Sequence, residues 1–325
     1  MTASKDEHTG TLEVRAKIPF DQFYYEGGES DADTVKVEVE SMRFSPNGKA
    51  EWIEDLHTFD DARIRGKKVI KDKKMTVRLQ GIDAPELHYG TSHWFRQHWG
   101  AKAASELEKF VKPYVVDSAT IDTYIYTMVE YPNDVFDIYA RFVGDIILSK
   151  VNLNMNQWLV EKGWAFPTFY NSMTRQEISN LDAKNQVARQ QSNGIWKGFA
   201  NKLIPFDFDL QTSRKRDAER IDAATDNGDI NLPKIFRRQV DYEVKKNSGS
   251  IDESSFVSYL KSRNDQCYLA KEFLEKRTNA QTRALYEFVD DENGNINFEP
   301  NELVFVENTS ELLKDSFGNR IEEWI

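Results

Sequence analysis

The sequence predicts an α+β protein: an antiparallel β-rich first part with helices packed on it, then a mixed helix and strand part towards the C-terminus. Three observations carry this reading. "TLEVRAKIPF" and "TVKVEVESMRF" alternate apolar and polar side chains with period two, the pattern of half-buried strands. "SATIDTYIYTMVE" and "VFDIYARFVGDIIL" are β-branched and aromatic, and read as further strands. "AKAASELEKFVK", which ends before Pro113, and "TRQEISNLDAKNQVARQQS" at 174–192, which ends near "NGIW", are made of helix formers with polar faces.

The other elements follow in chain order. "SPNG" at 45–48 is a turn signal and "KAEWIEDLH" reads as a return strand. "LNMNQWLVEKG" is a short helix stopped by Gly163. Residues 205–232, with charge-rich "SRKRDAER" and the turn "TDNG", read as a linker between a first domain at 10–204 and a second at 233–325. In the second, helices are expected around 233–245, 253–262 and 265–277, and "ALYEFVDDENGNINFEPNELVFVE" suggests strands around a turn.

Composition excludes several classes. A chain of 325 residues with 39% apolar and 12% aromatic content builds a sizeable core, and no stretch has the length of a membrane span. "MTASKDEHTG" lacks the basic and apolar regions of a secretory signal, so a cytoplasmic location is expected unless a signal has been removed. The single cysteine, Cys267, rules out an internal disulfide and a multi-thiolate metal site. His88, His93 and His98, five residues apart, fit neither a helical metal pair nor a compact zinc loop. "ATDNGDINL" and "VDDENGNINFEP" resemble calcium loops, but setting the glycine at loop position six puts Ala223 or Val289 where the first aspartate belongs. Both read as turns.

The net charge of -11 disfavours a nucleic-acid partner at first sight, because phosphate backbones are bound through lysine and arginine. Its distribution matters more. Residues 1–200 carry 25 basic and 29 acidic side chains, against 18 and 25 in residues 201–325. Within the first part, "RIRGKKVIKDKK" at 63–74 holds seven basic residues and one acidic one. That run is either a solvated hairpin or the edge of a phosphate-binding groove.

It leads directly into "TVRLQGIDAPE" at 76–86. Val77 and Leu79 supply one face of a strand and Arg78 and Gln80 the other, and Pro85 then holds Asp83 and Glu86 in a fixed loop. An arginine and an aspartate at a strand end are, taken alone, an ordinary ion pair. The context adds to this. "DADTVKV" at 31–37, "VRLQGIDAPE" at 77–86, "DIYARFVGDI" at 137–146, "VEKGWA" at 160–165 and "NGIW" at 193–196 follow one another in an order that resembles the staphylococcal nuclease (thermonuclease) family over roughly residues 10–200.

The resemblance implies a five-stranded OB-type β-barrel with packed helices and a calcium-dependent nuclease that hydrolyses phosphodiester bonds of DNA or RNA and leaves 3'-phosphate ends. Phosphodiester cleavage needs fixed cations around the phosphorus and a base for the attacking water. Arg78 and Arg141 align with the family's phosphate-clamping arginines, and Glu86 with the carboxylate assigned as general base. Asp33 and Asp83 match its calcium carboxylates, with the main-chain carbonyl of Ala84 as a further ligand, although alanine replaces the family's threonine there. Ala32 replaces the glycine of its D-G-D-T pattern. Tyr139 matches a tyrosine set against the nucleotide phosphate, Phe169 stands near a base-stacking tyrosine, and Lys73 and Lys74 are further substrate-binding candidates. Asp137 is given a loop-orienting role.

No family resemblance covers residues 205–325, whose acidity favours a protein partner or packing against the first domain. The site would then lie wholly within 10–200. The alternative to an enzyme is a noncatalytic barrel that binds nucleic acid or protein, and the presence together of Asp33, Arg78, Asp83, Glu86 and Arg141 favours the enzyme.

Overall fold

The computed structural model describes residues 10–23, 31–45, 52, 61–90, 94–116, 119–129, 135–207, 211–212, 222–306 and 314–319. Most of the expected return strand "KAEWIEDLH", together with His93 and "SRKRDAER", lies outside them. Five strands close into a barrel: β1 (Gly10–Pro19), β2 (Thr34–Ser45), β3 (Lys74–Leu79), β4 (Thr120–Val129) and β5 (Phe142–Leu148). β1 pairs antiparallel with both β2 and β4, β2 with β3, and β4 with β5. The barrel is shut by a parallel pairing of β5 with β3, Phe142 opposite Val77 and Gly144 opposite Leu79.

Period-two alternation makes this closure possible. Leu12, Val14, Ala16 and Ile18 of β1 point inward with Val35, Val37, Val77, Leu79, Ile125, Phe142 and Ile146, all nearly inaccessible. At Gly144 the barrel wall is tight: a Cβ there would meet the Tyr126 carbonyl at 2.9 Å. The run 63–74 forms small hairpins. Ile70–Lys71 pairs with the start of β3, and Asp72 and Lys73, both with positive φ, make the two-residue turn that suits a twisted hairpin.

α1 (Gly100–Val111), α2 (Met155–Glu161) and α3 (Arg175–Gln190) form where the composition places helices. Thr174 accepts from the Glu177 amide while Glu177 reaches back to the Thr174 amide, so "TRQE" is a capping box that fixes the start of α3. α2 begins at Asn154, which caps the Gln157 amide, and ends before Gly163 in the left-handed region.

In the C-terminal part α4 (Pro233–Asn247), α5 (Phe256–Arg263) and α6 (Ala270–Lys276) are joined by short strands. The helix expected at 265–277 starts only at Ala270. Residues before it form a strand instead, in a four-stranded sheet of β6 (Phe169–Tyr170), β7 (Gln266–Leu269), β8 (Arg283–Ala284) and β9 (Leu303–Phe305) in the order β6-β9-β7-β8. Tertiary pairing overrides local helix propensity here. Leu285–Phe288, read as strand, is a 3-10 helix.

This second sheet borrows β6 from the first part, and the barrel core is continuous with Tyr268, Phe273 and Val304. The stretch 222–232 also differs from a linker. Buried Asp226 accepts from Arg96 (2.9 Å) and from the Ala101 amide (2.9 Å), and the Gly228 carbonyl accepts from the Trp99 indole at 2.8 Å. The C-terminal part is therefore packed onto the barrel along the loop that follows Glu86.

Candidate active site

The end of β3 and the loop after it build the centre of the site. Gly81, in the left-handed region, turns the chain between Leu79 and Ile82; a Cβ there would meet the ends of the Leu181 and Met173 side chains at 2.5 and 2.6 Å, which would have to shift, and the positive φ strains any larger residue. Ile82–Asp83 then pairs antiparallel with Phe166–Pro167, which fixes the Asp83 backbone. Arg78, pointing out of the barrel wall, spans two aspartates: Nη1 lies 2.6 Å from Asp33 Oδ2 and Nη2 lies 2.9 Å from Asp83 Oδ1. Asp33 Oδ2 also accepts from the Ala84 amide at 2.9 Å. The "DADT" loop and the "DAPE" loop are thus locked together, and Asp31 adds a tie by accepting from the Leu87 amide at 2.8 Å.

Arg141 sits at the mouth of the same region. Asp137 orients it by accepting from its Nε at 2.7 Å and from its amide at 2.9 Å, and also accepts from the Tyr139 amide at 2.9 Å. One carboxylate thereby holds the loop 137–141 in which Ala140 has positive φ. Arg141 Nη1 reaches Thr34 Oγ1 at 3.3 Å, beside Asp33. Tyr139 is 59% exposed, with the Arg141 guanidinium 5.4 Å and Lys67 Nζ 6.0 Å from its ring centre.

The remaining sequence candidates are placed elsewhere. Phe169 is buried, 1% exposed, with its backbone opposite Val304 in the second sheet, so its ring has no open face on which to stack a base. Tyr170 points the other way along the strand, close enough to Arg78 and Arg237 for its phenol to favour their charged forms. Lys73 and Lys74 stand at the hairpin turn where β3 begins, at the opposite end of the strand from Arg78. Of the basic run it is Lys67 that reaches Tyr139. In "HWFRQHWG", Phe95 and Trp99 are buried and pack, while Gln97 accepts from the Glu86 amide at 3.2 Å and donates to the Asn231 carbonyl at 3.1 Å.

A residue beyond the expected boundary completes the cluster. Arg237 of α4 clamps Asp83 with both ends of its fork, Nη1 to Oδ1 at 3.0 Å and Nη2 to Oδ2 at 2.8 Å, and Nη1 also donates to Glu86 Oε1 at 2.5 Å. The pocket therefore holds Asp33, Asp83 and Glu86, with Asp31 nearby, against two guanidiniums. This imbalance separates the carboxyls. Asp83 is inaccessible, and burial alone would raise its pKa, but Arg237 and Arg78 outweigh it and hold the carboxyl down at about 2. Glu86 is pushed up to about 8, first by burial and then by Asp31, Asp83 and Asp33, in spite of Arg237.

The two shifts act on stability in opposite senses. Asp83 contributes stability above its ordinary 3.8 that is lost as pH falls towards about 2. Glu86, raised in the folded state, contributes stability present below its ordinary 4.5 and lost as pH rises through about 8. The thermal midpoint of the wild-type chain is therefore expected to decline from about pH 5 to about pH 8, and less steeply in Glu86→Gln, which cannot ionise. Equal slopes in circular-dichroism melts of the two chains would contradict this placement of Glu86.

Oxygen donors of this kind are those that a hard cation such as calcium takes. In this arrangement, however, both oxygens of Asp83 and Oδ2 of Asp33 are taken by N–H donors. Among the described residues no three His, Cys, Asp or Glu side chains converge as a metal cage. The place between Asp83 and Glu86 is filled by the Arg237 guanidinium.

Residues 76–198 match the family described as staphylococcal nuclease homologue. The likeness covers a little over a third of the chain. Arg78, Asp83, Ala84, Glu86, Tyr139 and Arg141 fall within the match, whereas Asp33 precedes it and Arg237 follows it. The chain is also similar to proteins named probable endonuclease lcl3. In Emericella nidulans the identity is 29% over 142 residues, 42% of this chain and 47% of the relative. In Pyricularia oryzae it is 26% over 149 residues, 44% and 51%. In Uncinocarpus reesii it is 24% over 168 residues, 49% and 48%. The chain spans about half the length of these relatives. No helix among the described residues is long and apolar enough to cross a membrane.

Proposed function

We propose that this protein is a nuclease that hydrolyses phosphodiester bonds of DNA or RNA at the pocket formed by Arg78, Glu86 and Arg141. The observation that carries the reading is the juxtaposition of two fixed arginines with a buried carboxyl of raised pKa at the mouth of a barrel. Arginine stays protonated and offers planar donors to phosphate oxygens, so Arg141, and Arg78 behind it, stabilise the charge that gathers on the phosphoryl group. In its ionised form Glu86 accepts a proton from the attacking water; a pKa raised to about 8 makes that form a stronger base than a solvated glutamate and populates it as pH rises towards about 8. Tyr139, exposed between Lys67 and Arg141, offers a π-face and two cations to the nucleotide chain. The name of the fungal relatives, probable endonuclease, supports internal cleavage.

Calcium belongs to this proposal through the family resemblance. Asp33, Asp83 and the Ala84 carbonyl are the groups that would hold it, and when bound it would supply positive charge beside the scissile phosphate. The test is to incubate the purified chain with single-stranded DNA and with RNA, in calcium or in chelator, and to analyse the product ends. Cleavage in calcium alone, leaving 3'-phosphates, is expected. Undiminished cleavage in chelator would remove the metal from the proposal, and 5'-phosphate ends would contradict the thermonuclease type of reaction. A noncatalytic binding barrel is less well supported, because binding alone has no use for a base buried among carboxylates.

A further inference from the structure

We infer that Arg237 is the resident cation of the acidic pocket: its guanidinium competes with a divalent cation for Asp83 and Glu86, so the C-terminal half of the chain controls entry of the metal. This rests on the proposed function only for its consequence, since the competition is a matter of binding. The geometry carries it. Arg237 covers both oxygens of Asp83 and one of Glu86, leaving Asp83 with neither oxygen open to an incoming ion.

The guanidinium is delivered by a helix fixed on several sides. Arg238, the next residue, makes a two-point contact with Asp265 at 2.7 and 2.8 Å. Asp241 accepts from the Tyr89 hydroxyl at 3.0 Å, tying α4 to the loop that carries Glu86. Gln239 accepts from Asn231 at 3.1 Å, and Ile235, Phe236 and Val240 are buried. The pairing is therefore an intramolecular interaction at high effective concentration, and a cation enters only by displacing it. Both occupants draw on the same carboxylates. The fork has planar geometry for a carboxylate edge, whereas calcium requires six to eight oxygens, so the two cannot share Asp83 as it is held here.

The test measures calcium binding to the full chain by isothermal titration calorimetry, for wild type, Arg237→Gln and Arg237→Lys. Arg237→Gln is expected to bind calcium at least about tenfold more tightly than wild type, a difference of about 1.4 kcal/mol. Arg237→Lys retains a charge but loses the fork, and guards against a glutamine variant that fails to fold; it is expected to lie between the two. In wild type, the Nε–Hε resonance of Arg237 is expected to shift as calcium is titrated in. Equal or weaker binding by folded variants, an unmoved Arg237 resonance at saturating calcium, or no calcium binding by any of the chains would overturn the inference. Because cleavage is not the readout, a chain that lacked nuclease activity would still report on the competition.

Discussion

Replacing Arg141 with alanine is expected to lower the rate of phosphodiester cleavage by at least about 100-fold, the cost of removing one donor that stabilises a developing oxyanion. The fold should survive the change. Arg141 and Asp137 are each partly exposed, and a pair of this kind contributes about 0–1 kcal/mol, so the denaturation midpoint should move little. Asp137 would still accept from the Tyr139 amide and keep the loop in place. Rates on a labelled oligonucleotide, measured beside equilibrium unfolding, check both statements. Turnover within a few-fold of wild type would remove Arg141 from the mechanism.

Arg78→Ala is expected to act on stability as well as on cleavage. Its two terminal nitrogens reach Asp33 and Asp83, which are 3% and 0% exposed as side chains. Deleting the guanidinium leaves buried carboxylates short of a partner, a change that costs about 3–5 kcal/mol when one member of a buried pair is removed. Arg78 therefore also joins the "DADT" and "DAPE" loops. Denaturant titration of Arg78→Ala against wild type measures the loss. A change below about 1 kcal/mol, the range of exposed pairs, would show that the bridge is not buried in solution.

Much of this was legible from sequence because the signals are local. Alternating valines and isoleucines specify the barrel strands, "TRQE" specifies the start of α3, and Arg78, Asp83 and Glu86 stand within nine residues of one another on a strand and its loop. Arg237 was not legible. It lies 154 residues from Asp83 along the chain, in a helix with no motif of its own, and only tertiary packing brings them together. Phe169 and Tyr170 show a parity error: in a strand, neighbouring side chains face opposite ways, and the proximity of one to a family position does not decide which faces the site. Lys73 and Lys74 sit next to the motif in sequence, yet strand direction carries them away from Arg78, while Lys67, further off, folds back onto Tyr139. Within the stretch read as a linker, residues 222–232 make contacts of the same non-local kind. Asp226 belongs to a polar turn by composition, but Arg96 and the Ala101 amide give it buried partners that no local pattern announces.

The central claim is that the pocket around Glu86 cleaves phosphodiester bonds, and the most direct measurement is single-turnover cleavage of single-stranded DNA by the folded wild-type chain and by Glu86→Gln. The glutamine keeps the size of the side chain and an oxygen for Arg237, but does not serve as the proton acceptor. The account predicts cleavage by wild type and a loss of at least about 100-fold in the variant, within the range that a positioned general base contributes. Equal rates for the two chains, or no cleavage by a folded wild-type chain in the presence of calcium, would contradict it.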